Sequence, residues 1–305
     1  MRAFDHFLLT RFSAVFDSGA APASEDWLYY RLAFFVDAAH PSVVAQRNAD
    51  FTWLVLLDDR CPDGFREDVE SLAADGSFTP IWTHRAFHPA SFAEAIAERS
   101  RTPHLITTRM DSDDAIAVDF MAAVQGQFAE QDRLFVSFTR GVQLDRSGRV
   151  YRRDEISNPF LSLIERRTPG VPPATVYVAA AHTRARAHGP LREVKAPPMW
   201  AQVVHGTNLY NIVNGTRISP GVVNDRFALD LAYTRDVPFP RLLVEKAQHR
   251  ARLMRLWMEH PSEPFKYAEA RFWRLRGTHE RPQNDGRTLM DRFKSGAAQF
   301  GRRRA

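Results

Sequence analysis

Short apolar runs separated by stretches of helical periodicity recur along most of the chain. Phe4 to Leu9 is apolar with aromatic members and is closed by Thr10-Arg11, which predicts a first strand. Glu25 to Ala39 places Trp27, Leu28, Leu32, Phe35 and Val36 on one helical face, and Pro41-Ser42 opens a short helix from Val43 to Arg47. Phe51 to Leu57 is almost continuously hydrophobic and ends in Asp58-Asp59. A run that short, followed by Arg-Cys-Pro-Asp-Gly, fits a strand buried on both faces of a parallel sheet. Residues 65–74 and 91–99 read as helices, and Phe78 to Trp82 as extended. Leu105 to Met110 reads as a strand, and Ile116, Phe120, Val124 and Phe128 recur every four residues as one face of a helix directly after it. Arg133 to Phe138 is a further strand, residues 142–151 a hairpin turning at Ser147-Gly148, and Ala174 to Ala180 another strand. The alternation predicts the α/β class, a sandwich with an antiparallel addition.

From Phe239 onward the pattern changes. Leu242, Leu243, Ala247, Leu253, Leu256 and Trp257 sit in an Arg-rich helical segment, and Phe265 to Arg276 forms a second. Residues 278–305 have the composition of a partly disordered end. The expected division is a domain over 1–238 and a basic helical extension over 239–305. Charge follows it: residues 241–305 carry 16 Lys and Arg against 7 Asp and Glu, and residues 1–240 carry 25 against 29.

Composition removes several function classes. Among 305 residues there is one cysteine, Cys61, which excludes an internal disulfide framework and a Cys-based zinc site and suits a reducing compartment. No run approaches the roughly 20 apolar residues of a membrane span, and the amino terminus lacks the layout of a signal peptide. The expectation is a cytoplasmic protein, with peripheral contact at the inner face of the membrane through its basic end.

The chemistry concentrates after the Leu105 strand. Asp111, Asp113 and Asp114 fall within four positions. One Asp or Ser would suffice to cap a helix, and acidic residues in a first turn suit the helix dipole. Like charges about 4 Å apart repel by about 1 kcal/mol even in water, and a divalent cation removes that repulsion. Carboxylates at the carboxyl end of a strand also lie where open α/β sheets bind ligands. Downstream, His205 precedes Gly206, with Asn208 and Asn211 close behind, and His182 follows the Ala174 strand. Carboxylates with one imidazole suit Mg²⁺ or Mn²⁺ completed by phosphate oxygens and water, and such an ion stabilises a diphosphate as it leaves. Asp58 and Asp59 are either the plain end of a strand or acceptors for a base or ribose.

Six segments carry a resemblance. Phe7-Leu-Leu-Thr-Arg-Phe12, His40-Pro-Ser-Val-Val-Ala-Gln46, Phe51-Thr-Trp-Leu-Val-Leu-Leu-Asp58, Ile106-Thr-Thr-Arg-Met-Asp-Ser-Asp-Asp-Ala-Ile116, Asn158-Pro-Phe-Leu-Ser-Leu-Ile-Glu165 and Met199-Trp-Ala-Gln-Val-Val-His-Gly206 resemble, in order, a bacterial rhamnosyltransferase family. The resemblance implies a GT-A-like glycosyltransferase: a Rossmann-type nucleotide-binding sandwich with a mixed sheet and an Asp-x-Asp metal motif. It implies Asp113 as principal metal ligand, Asp111 facing ribose or metal-bound water, Asp114 supporting them or the donor sugar, and His205 completing the metal site. Arg11 sits where such enzymes begin to hold the nucleotide, and Arg109 is placed to neutralise diphosphate, although both could instead form surface ion pairs. An inverting transfer needs a carboxylate base; Glu165, Glu155 and Asp225 lie on the appropriate side in sequence, and nothing selects among them. The implied partners are a nucleotide-sugar donor such as dTDP-rhamnose and a saccharide or glycolipid acceptor, with no nucleic acid. Two rivals stand beside this: a phosphohydrolase of the haloacid dehalogenase type, which also uses Asp-x-Asp at a strand end, and a non-enzymatic membrane-surface adaptor built on the basic helices.

Overall fold

A computed structural model describes residues 2–17, 19–145, 147–156, 158–179, 182–205, 213–229 and 237–259, with only the backbone of Val222 and Asp225. In chain order the elements are β1 (Phe4–Arg11), α1 (Glu25–Phe34), α2 (His40–Val44), β2 (Thr52–Leu57), α3 (Asp63–Ala73), β3 (Thr79–Trp82), α4 (Ala93–Arg99), β4 (His104–Asp111), β5 (Ala115–Ile116), α5 (Phe120–Gln125), β6 (Leu134–Phe138), β7 (Arg140–Asp145), β8 (Val150–Asp154), β9 (Ser162–Arg166), α6 (Ala185–His188), β10 (Leu191–Val194), β11 (Trp200–Val204), β12 (Thr216–Ile218), α7 (Gly221–Arg226) and α8 (Phe239–Glu259). Contacts divide the chain into two compact units, Met1–Lys246 and Ala247–Ala305.

The main sheet runs β10-β6-β9-β4-β1-β2-β3, and a second runs β12-β8-β7-β11-β5. In the main sheet β1 pairs in parallel with β2 and β4, while β9 runs antiparallel to both β4 and β6. This is the mixed-sheet α/β sandwich expected of a GT-A-like domain, and the anticipated hairpin is the antiparallel pair β7 and β8. β2 explains why a strand can be hydrophobic throughout. Trp53, Val55 and Leu57 join one core cluster, while Leu54 and Leu56 join the cluster on the opposite face. Burying each such side chain contributes about 1.5–3 kcal/mol, so the central strands are fixed in register and their carboxyl ends gather at one edge.

Three expectations are corrected. The helix does not begin directly after β4. Residues 111–114 form a turn, closed by the Asp114 N–H on the Asp111 carbonyl at 3.3 Å; β5 then pairs with β11, and α5 starts only at Phe120. The N–H groups of Ala117 and Val118 donate to the carbonyls of Met199 and Arg226 rather than into a helix. Residues 174–179 do not form a strand: the N–H groups of Ala174 and Thr175 donate to the Glu165 carboxylate and that of Val176 to Thr107 Oγ1, after which Val176–Ala179 closes as a 3₁₀ turn, and Ala180 lies outside the described residues. The helix expected through Ala39 ends at Phe34 and continues as a wider π turn, Phe35–Ala39. Phe265–Arg276, residues 278–305, Gly206, Asn208 and Asn211 lie outside the described residues.

Candidate active site

The register of β1 and β4 sets Arg11 opposite Asp111 and Leu9 opposite Arg109, at the carboxyl edge of the sheet. Alternation along β4 puts Leu105, Thr107, Arg109 and Asp111 on one face. There the guanidiniums of Arg11 and Arg109 approach the same Asp111 oxygen at 3.7 and 3.6 Å. Both lie over the ring of Tyr177, at 5.0 and 5.3 Å from its centroid, and Arg11 also faces Phe16 and Phe87. Tyr177 is fixed in turn by its hydroxyl, which donates to the Leu9 carbonyl at 3.2 Å. Arg109 is only 6% exposed, and the Nε groups of both arginines are buried without a hydrogen-bond partner. Two permanent cations thus share one carboxylate at ion-pair rather than hydrogen-bond distance. Buried charge of this kind requires compensation, and what the arrangement lacks is an anion.

The second half of the motif faces a different group. Asp113 Oδ2 lies 2.7 Å from His205 Nε2 and 2.6 Å from Arg31 Nη1, and Arg31 Nη2 donates to Ser112 Oγ at 2.9 Å. Arg31 Nη1 is also 3.3 Å from the same His205 nitrogen. Burial works against ionisation of Asp113, but the His205 hydrogen bond and the charge and hydrogen bond of Arg31 outweigh it and hold the carboxyl below its usual range. His205 is buried against α1: the Phe34 ring stacks on the imidazole at 4.0 Å, and the Tyr30 hydroxyl donates to the His205 carbonyl at 2.9 Å. Asp114 is also buried and accepts from the Val203 N–H at 3.0 Å, tying the turn to β11. Burial, then the charges of Asp113 and Asp111, raise its carboxyl well above the usual range. That suits a structural tie better than a ligand.

Asp113 Oδ2 and His205 Nε2 are in direct hydrogen-bond contact at 2.7 Å, with Arg31 Nη1 set against both at 2.6 and 3.3 Å. A cation held by these two side chains would have to replace that hydrogen bond and the guanidinium. Oxygen with one imidazole is a donor set for Mn²⁺ or Mg²⁺. Asp111 does not join this pair. Among the described residues no three of His, Cys, Asp and Glu come together as a metal-binding group, so the remaining ligands would have to come from the donor and water.

The other predicted residues separate. Asp58, at the same edge after β2, accepts from Arg60 at 3.0 and 2.8 Å, and Asp59 pairs with His84 at 2.9 Å. Burial raises the Asp58 carboxyl, but the Arg60 hydrogen bonds overcome it and leave the carboxyl lowered. Glu165 pairs with Leu105 at the opposite end of β4, about 20 Å from Asp111 at 3.3 Å per residue. The structure does not bring it to the motif. Asp225 is in α7, whose Arg226 carbonyl accepts from Val118 in the segment after the motif; its side chain lies outside the described residues. Sequence reasoning missed Tyr177 and the α1 residues Tyr30, Arg31 and Phe34 as site residues, and gave Trp27 to the apolar face alone. Trp27, Tyr30, Arg31 and Phe34 have i, i+3, i+4, i+7 spacing, a stripe that adjoins the apolar face at Trp27.

The chain matches the model of a family described as "Putative rhamnosyl transferase" over residues 10–216, more than half its length. It belongs to that family. The matched model is that of a transferase family and not of a phosphohydrolase. No curated protein matches the chain. Among solved structures, S. aureus TarS residues 1–349 in complex with UDP-GlcNAc is similar at a TM-score of 0.40 and 12% identity, covering 71% of this chain and 62% of that one. GalNAc-T7 with UDP, GalNAc and Mn²⁺ gives 0.38 and 12%, covering 72% and 47%. This chain spans about 60% of the length of the TarS 1–349 structure. The family assignment rests on the family match and not on these likenesses.

Proposed function

We propose that this family member transfers L-rhamnose, with inversion, from a nucleoside-diphosphate donor such as dTDP-rhamnose to a hydroxyl of a saccharide or glycolipid acceptor. One observation carries the reading: Arg11 and Arg109, over Tyr177 and around a single carboxylate of the Asp-x-Asp motif, present uncompensated positive charge at the carboxyl edge of the sheet. A diphosphate supplies the missing anion through charge-assisted hydrogen bonds to the two guanidiniums. Asp111 holds the arginines in place and, being about one-third exposed, can also meet ribose. When bound at Asp113 and His205, Mn²⁺ or Mg²⁺ would neutralise the departing diphosphate. Asp58 and Asp59 border the same edge toward the nucleoside. The acceptor hydroxyl needs a carboxylate within reach; Glu155, paired with Arg153 beyond β8, and Asp225 are the assignments to test, since Glu165 is remote.

α8 supports peripheral contact with an anionic membrane at the cytoplasmic face. Phe239, Leu243, Val244, Met254 and Met258 are exposed on it beside Arg241, Arg250, Arg252 and Arg255. Among the described residues no helix is long and apolar enough to cross a membrane. Truncation after Lys246, which spares the first compact unit and the Glu245 partner of buried Arg217, should weaken sedimentation with anionic vesicles and leave donor binding intact.

The main test is a calorimetric panel of nucleoside diphosphates and nucleotide sugars with and without Mn²⁺. Asp113→Ala should abolish metal-dependent binding while the far-ultraviolet spectrum stays native. Undiminished binding in that variant counts against the assignment.

A further inference from the structure

The Asp113–His205 pair, whose Oδ2 and Nε2 lie 2.7 Å apart, is faced by the protein's own positive charge. Arg31 Nη1 lies 2.6 Å from Asp113 Oδ2 and 3.3 Å from His205 Nε2, the two atoms assigned above to the metal ion. We propose that Arg31 is the resident counter-charge of this site: without donor its guanidinium occupies the cation's place, and a divalent ion binds only by displacing it. The inference rests on the reading of Asp113 and His205 as the ion's donors.

Three features support it. First, a guanidinium stays charged at any working pH, so it and a divalent ion compete for one carboxylate oxygen rather than share it. Second, the guanidinium divides its bonds between two acceptors: one amino group goes to Asp113 Oδ2 at 2.6 Å and the other to Ser112 Oγ at 2.9 Å, its Nε is buried without a partner, and Trp27 lies 5.7 Å from it. Third, His205 does not depend on Arg31 for its position, because Phe34 and Tyr30 of the same helix hold its ring and its carbonyl. The donor atoms therefore stay in place when the guanidinium leaves. Removing a counter-charge from buried Asp113 without replacement is costly, so the empty site is kept neutral by Arg31 until an ion arrives with the negative charge of a diphosphate. Metal binding and donor binding become coupled, each favouring the other.

The test is a titration of the full chain with Mn²⁺ in the absence of nucleotide, followed by electron paramagnetic resonance, for the wild type, Arg31→Ala and Arg31→Lys. Removing a competing cation raises the fraction of competent site, so Arg31→Ala should tighten apparent metal affinity by about tenfold and Arg31→Lys by less. Adding a nucleoside diphosphate should strengthen Mn²⁺ binding more in the wild type than in Arg31→Ala. Unchanged or weaker Mn²⁺ binding in Arg31→Ala overturns the proposal. So does wild-type nucleotide binding that is equal in EDTA and lost in Arg31→Ala, because Arg31 would then replace the ion outright. If Arg31→Ala fails to fold, Arg31→Lys decides alone, by tightening or not tightening. The proposed function fails separately, by absence of nucleoside-diphosphate binding to the wild type under any metal condition.

Discussion

The two ends of β4 and its neighbour strand both carry buried carboxylates, and they are satisfied in different ways. At the amino-terminal end, Glu165 accepts two backbone N–H bonds, from Ala174 and Thr175, each at 2.9 Å. These donors cannot move without unfolding the segment that leads to Tyr177. At the carboxyl end, Asp111 and Asp113 are met by the tips of three arginines and a histidine, with Nε groups of Arg11, Arg31 and Arg109 left unbonded. Side-chain cations can reorient toward a ligand; backbone amides cannot. A carboxylate closed by the main chain is architectural, whereas one surrounded by surplus guanidinium is prepared for an incoming anion.

The largest effect that would break this contrast lies at the carboxyl end. The double variant Arg11→Ala/Arg109→Ala should weaken nucleoside-diphosphate binding about a thousandfold, since hydrogen bonds to charged groups contribute about 1.5–3 kcal/mol each. Calorimetry measures it, and a loss under tenfold would mean the diphosphate sits elsewhere. Next in size is the architectural end. Glu165→Ala leaves two buried N–H groups without acceptors and should cost about 3 kcal/mol in denaturant unfolding. Donor affinity should fall less than about fivefold, because the site is too distant for direct coupling. A larger fall in affinity than in stability would move Glu165 into the working site.

The difference between the ends also explains what the sequence disclosed. Strand identity was legible, because Phe51 to Leu57 and Leu105 to Met110 read the same way buried or not, and the six family segments order themselves along the chain. The Asp cluster was legible as a concentration of like charge. Its partition was not: nothing local says that Asp111 turns toward Arg11 and Arg109 while Asp113 turns toward Arg31, 82 positions away. Residues 174–180 misled for a related reason. Their apolar content is strand-like, but Glu165 and Thr107 capture their N–H groups, a tertiary competition invisible to periodicity. The face of α1 bearing Arg31 was masked by the stronger apolar face beside it.

The smallest expected effect sharpens the comparison through pH. His6, in β1 on the face of the sheet away from Arg109, is 1% exposed, with Nε2 2.9 Å from Thr108 Oγ1 and Nδ1 3.2 Å from the Gln125 amide nitrogen. Burial, and then the charge of Arg2, push its pKa down from 6.5 to about 3. A depressed native value means that the unfolded chain takes up the proton first. The stability contributed by neutral His6 is therefore complete above about pH 6.5 and is lost as pH falls toward 3. One unit below the unfolded value the loss is about 1.4 kcal/mol. His6→Gln should remove about that much of the stability difference between about pH 7.5 and pH 5.5, leaving the remainder to groups such as His182, which burial and the charges of Arg109 and Arg153 also lower to about 3. Donor affinity at neutral pH should not change in His6→Gln. A pH profile indifferent to the substitution would sink the buried-histidine account, and a changed donor affinity would show that the two faces of the sheet are coupled.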